Sequence, residues 1–141
     1  MDAMKFTSRS DLPEENHARQ GAVDASPFVG TWVNTNKESP QRIAKVILSV
    51  KDGVLIVHAF GDCSPEPCDL GEVEAAVFAD NVNSPTGMSF SANYEFGFME
   101  SFLQANVKHG TLVIASCNKF KDGSSRSDYY AREFFYRLEG D

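Results

Sequence analysis

Two tight turns constrain this chain more than any other feature. Lys51-Asp52-Gly53 and Lys108-His109-Gly110 each separate two runs rich in β-branched and aromatic residues. Glycine supplies the positive φ that so short a hairpin link demands, so each turn makes its flanking runs antiparallel neighbours. The pattern continues on both sides. From Gly30 onward, short apolar segments are punctuated by Gly, Pro, Asn and Asp, and none carries the roughly 3.6-residue apolar stripe of a helix. The segments predict eight strands, at about 30–34, 43–50, 54–60, 72–78, 88–94, 98–107, 111–118 and 128–138. A meander of eight strands can close on itself and leave no edge open to another chain. The expected fold is therefore all-β, an eight-stranded antiparallel up-and-down barrel. A β-sandwich competes with it, but Greek-key crossovers need longer connections than these two hairpins supply.

Residues 1–26 carry charges of both signs and few large apolar groups, which predicts a flexible tail ahead of one barrel domain at 27–141. The 141-residue chain has a formal charge of −7. That balance argues against nucleic acid and anionic membrane as partners, since both demand a basic surface. No apolar run approaches the roughly 20 residues that cross a bilayer, so membrane insertion is not expected. The N-terminus lacks the apolar core of a secretory signal, which points to the cytoplasm. Three cysteines are too few for a disulfide-built scaffold. Cys63 and Cys68 bracket Ser-Pro-Glu-Pro and read as either a small loop disulfide or a pair of reduced thiols, with metal or redox chemistry a third option. No glycine-rich phosphate loop, Gly-x-Ser-x-Gly or His-Glu-x-x-His occurs, and neither a cofactor nor a metal is expected.

In a meander, alternate links share an end. The links after strands two and six are the tight hairpins. The links after strands one, three, five and seven meet at the opposite end, around residues 34–41, 61–71, 95–97 and 119–127. Binding groups favour loops on a rigid frame, and a barrel of this size encloses room for one small ligand, so the mouth is expected there. The candidate ligand-binding residues near it are Asn34, Arg42, His58, Tyr94, Asn118, Tyr129, Tyr130 and Arg132. His58, Asp128 and Tyr130 are the candidate acid–base groups. On the last strand, residues two apart share a face. Tyr130, Arg132, Phe134 and Tyr136 form one set, and Tyr129, Ala131, Glu133, Phe135 and Arg137 the other.

Gly30-Thr31-Trp32 on the first strand and Arg137 near the end of the last resemble the signature of the calycin superfamily, which holds lipocalins, fatty-acid-binding proteins and avidins. The resemblance implies a lipocalin- or streptavidin-like barrel in which Trp32 closes one end and Arg137 packs across its ring. The chain is also similar to a set of small bacterial domains with a Gly-Thr-Trp opening, a His-Ala-aromatic-Gly-x-Cys segment and a closing Asp-Tyr-Tyr. Here these read Gly30-Thr31-Trp32, His58-Ala59-Phe60-Gly61-Asp62-Cys63 and Asp128-Tyr129-Tyr130. No activity carries over from that set, and the biotin-binding pattern of avidins is not evident. The leading expectation is a non-catalytic barrel that binds a small hydrophobic or amphipathic molecule as carrier or sensor. The alternative is a calycin-like isomerase, cyclase or hydrolase acting on a hydrophobic metabolite through His58 and the mouth tyrosines. A second alternative is a protein-interaction module, a homodimer included, built on exposed aromatics.

Overall fold

The computed structural model describes residues 23–38, 43–63 and 66–139. A short 3-10 turn, Ser26–Phe28, precedes eight strands: β1 (Gly30–Asn34), β2 (Ile43–Lys51), β3 (Val54–Gly61), β4 (Cys68–Phe78), β5 (Ser89–Glu95), β6 (Met99–Lys108), β7 (Thr111–Phe120) and β8 (Tyr129–Arg137). They form one closed barrel in sequence order, each strand antiparallel to the next, and β8 pairs back onto β1. The expected meander is the observed one. Its two tight hairpins turn through positive φ at Asp52 and Gly53, and again at His109 and Gly110, the geometry that matches the twist of paired strands.

The largest difference in strand bounds is at β4, which begins at Cys68 inside the stretch read as a loop. The ladder with β3 slips between His58 and Phe60, and Gly71 takes a φ of +86° beside the slip. This β-bulge lets pairing resume on the far side of a glycine that looks, in sequence, like a loop end.

One end of the barrel is plugged. Phe28 is fully buried and meets Phe90 edge-to-face at 5.3 Å. The Trp32 Nε1–H donates to the Phe28 carbonyl at 2.9 Å, which ties the plug to β1. Arg137 lies over the indole, its guanidinium carbon 4.5 Å from the ring centroid, and donates to the Pro27 carbonyl at 2.5 Å. Gly30 holds a φ of +141° beneath it, and a β-carbon there would come within 3.3 Å of the Arg137 side chain. Of the segment read as a tail, residues 1–22 lie outside the described residues. Just after them, the Asp24 N–H donates to the Pro85 carbonyl and the Gly87 N–H to the Asp24 carbonyl, both at 2.7 Å, and Ala25 is buried. A β-carbon on Gly87 would stand 2.6 Å from that Asp24 oxygen, so the approach requires glycine. Among the described residues, no helix is long and apolar enough to cross a membrane.

Candidate functional site

Above the plug the barrel is hollow. A cavity of about 710 Å³ opens at the end formed by the links after β1, β3, β5 and β7, the end that loop order pointed to. Its side walls are apolar, from Ile43, Ala59, Leu70 and Leu103.

The rim is a run of neighbouring rings. Phe96 lies nearly parallel to Tyr94 with centroids 5.6 Å apart, and Phe98 follows at 6.3 Å. Arg126 bridges to the other side, its guanidinium carbon 5.6 Å from the Phe98 centroid and 4.3 Å from that of Phe120. Tyr129 completes the run 6.2 Å from Phe120. The guanidinium also donates to Asp122 Oδ2 at 2.7 Å and to the Ser124 hydroxyl at 3.2 Å. The loop that holds Arg126 thus uses its charge internally. Backbone and hydroxyl donation from Ser124, then Arg126, hold the Asp122 carboxyl below the usual carboxylate range. Lys121 pairs with Glu95 across the same rim. Cys63 and Cys68 are joined as a disulfide, Cα atoms 5.4 Å apart, and it pins the link between β3 and β4 beside the cavity residues Asp62 and Leu70.

Polar groups on the inner wall are mostly paired with the protein. The Tyr94 hydroxyl accepts from the Ala59 N–H at 3.0 Å and donates to the Gly71 carbonyl at 2.6 Å, with the Val57 carbonyl at 3.1 Å. It stitches the β3–β4 bulge, and burial pushes its pKa up to about 12. Ser101 Oγ donates to Asn118 Oδ1 at 2.6 Å, and Asn118 Nδ2 donates to Ser116 Oγ at 3.1 Å and towards the Tyr129 carbonyl at 3.4 Å. These hydroxyls face an amide rather than a base, so they can orient a bound group but carry no activated nucleophile. Glu133 is different. It lies on the inner face of β8, opposite Ile114 and two inward steps from Tyr129, and makes no hydrogen bond or ion pair among the described residues. Burial, and after it the charge of Glu133, raises the pKa of Tyr129.

Of the residues picked from sequence, Tyr94, Asn118 and Tyr129 line the cavity. Asn34 is buried but does not; its amide donates to the Ile43 carbonyl and accepts from the Asn36 N–H, holding the link after β1. Arg42 lies outside the described residues. His58 is on the outer face, where its Nε2 meets Asp69 Oδ1 at 2.7 Å and its ring stacks on Phe60. The Gly71 N–H, then His58, lower the Asp69 pKa. Tyr130 and Arg132 also face outward, Tyr130 at 62% exposure. Asp128 accepts the Phe120 N–H at 2.9 Å. The acid–base set of His58, Asp128 and Tyr130 is therefore not assembled: β1 and β2 lie between His58 on β3 and Tyr130 on β8. The outward tyrosine instead joins Phe102 and Cys117 in a cross-strand row on the outside of β6–β8.

Sequence reasoning placed Phe96, Phe120 and Arg126 within the mouth links without naming them as binding residues, and missed Phe98, Ser101, Ser116 and Glu133. For Glu133 a signal exists, because it shares the β8 face of Arg137, the residue that packs on Trp32. Comparison with family models, with curated proteins and with solved structures gave no match.

Proposed function

We propose that this protein binds one small amphipathic molecule inside its barrel and acts as a carrier or sensor rather than as a catalyst. The observation that carries the reading is the cavity of about 710 Å³, in a barrel plugged at one end by Trp32 and Phe28 and open at the other through a collar of aromatic rings. That volume falls within the range of small-molecule pockets, roughly 300–1,000 Å³, and apolar walls with a few placed polar groups are their usual lining. The calycin-like reading is supported by Gly30, Trp32 and Arg137, which meet at the plugged end. A calycin-type enzyme is less well supported, since His58, Asp128 and Tyr130 are not brought together and Ser101 and Ser116 are bonded to an amide.

The test is native mass spectrometry of protein purified from its own host. One adduct per chain is expected, and Ala131→Trp, which fills the middle of the cavity opposite Ser116, should remove it without lowering the melting temperature greatly. A wild-type protein without an adduct, or an adduct that survives in Ala131→Trp, would reject the reading.

A further inference from the structure

We infer that the molecule held in the cavity is a cation: an organic amine whose ammonium group pairs with Glu133 while its apolar body fills the space between the side walls and the aromatic collar. The inference rests on the proposal that the cavity is a binding site, and it follows from how the polar groups on the inner strand wall and Arg126 at the rim are already engaged; Asp62, at the rim, is not without a partner. The Tyr94 hydroxyl is taken up by backbone at the β3–β4 bulge. Ser101, Asn118 and Ser116 are bonded to one another. Arg126 is held by Asp122 and Ser124 and covered by Phe120. The Tyr129 hydroxyl is neutral and can turn to suit a donor or an acceptor. Glu133 alone among these groups faces the cavity as a charge with no protein partner among the described residues.

An open cavity lets water solvate that carboxylate. A ligand that fills the cavity expels the water, and a carboxylate left dry and unpaired opposes binding strongly. The occupant must therefore bring its own donor to Glu133, and a cationic donor makes the stronger bond. A purely apolar molecule has no such donor, and a fatty acid would set a second carboxylate beside the first. Phe96, Phe98 and Phe120 border the entrance, and aromatic rings attract cations, as the Arg126 guanidinium over Phe98 and Phe120 already shows. The formal charge of −7 raises the local concentration of cations over the whole surface.

Three probes with one apolar body separate the alternatives: decylamine, decanol and decanoate, each titrated calorimetrically into wild type, Glu133→Gln and Ala131→Trp. Wild type should bind decylamine at one per chain and at least ten-fold tighter than decanol, with decanoate weakest. Glu133→Gln should weaken decylamine at least ten-fold and leave decanol unchanged or tighter, and Ala131→Trp should abolish binding of all three. Near-ultraviolet circular dichroism on each variant verifies the fold. Decanoate or decanol binding as tightly as decylamine, or decylamine affinity untouched by Glu133→Gln, would overturn the amine and leave the cavity standing as a binding site. Failure of all three probes to bind wild type, or decylamine binding that persists in Ala131→Trp, would overturn both.

Discussion

The two ends of the barrel use similar residues to opposite purposes. At the plugged end, Trp32 has its N–H bonded to Phe28, its ring covered by Arg137 and its body buried. At the open end, Phe96 stacks on Tyr94, Phe98 and Phe120 share the Arg126 guanidinium, and all three also border the cavity. Arginine shows the same contrast. Arg137 locks a buried indole to the backbone at Pro27, whereas Arg126 bridges two rings on a half-open rim and draws its partners from its own loop. An aromatic group satisfied on every side supports the fold. One that borders the cavity is placed to meet something else as well.

The most forceful way to break this contrast is Trp32→Ala. Truncating a large buried aromatic should cost about 3–5 kcal/mol of folding stability, read by urea denaturation. The ranking of the three decyl probes should survive wherever the variant remains folded. A variant of normal stability that has lost only binding would mean the plugged end is the working end.

Tyr94→Phe tests a residue that serves both regions, with its ring on the collar and its hydroxyl in the frame. Loss of the hydroxyl leaves the Ala59 N–H and the Gly71 carbonyl short of a partner, for about 1–3 kcal/mol. The effect has a pH signature. Burial raises the phenol from its ordinary 10.0 to about 12, so the folded state holds that proton more tightly than the unfolded chain. The stability involved is complete below pH 10.0 and is lost as the pH climbs through about 12. Stability measured across that window should fall less steeply in Tyr94→Phe than in wild type.

The smallest effect has the opposite sign. With no ligand present, Glu133→Gln removes a partly buried charge that has no partner among the described residues, and should raise stability by less than about 1 kcal/mol while impairing amine binding. A loss of stability instead would place Glu133 with the structural groups.

The strand order and the end that opens were legible because hairpin chemistry is local: Asp52-Gly53 and His109-Gly110 declare themselves within three residues. Which side chains point inward was harder. In β3, Leu55, Val57 and Ala59 face in while Ile56, His58 and Phe60 face out, and both sets look apolar. The deciding information sits on the partner strand, where Lys45 and Ser49 stand opposite Phe60 and Ile56 and so mark the wet face. Read across that hairpin, His58 belongs outside. The rim is illegible for another reason. Phe98 comes from the link after β5, Phe120 from the end of β7 and Arg126 from the link that follows it, and no spacing in the chain encodes how they meet.

The join between β1 and β8 also sets an order of events. It consists of three residue pairs, Trp32–Arg137, Val33–Tyr136 and Asn34–Phe135, whereas the β6–β7 hairpin runs to ten. Arg137 and the Pro27 carbonyl it grips are 110 residues apart in the chain. Contacts that distant are slow to form, and local hairpins precede them. This seam is then the last to close and the first to open, and substitutions confined to it should act mainly on the unfolding rate. Until β8 reaches β1 the cavity lacks one wall. A molecule held in the finished cavity would favour the closed barrel and so act as a clasp on that final joint.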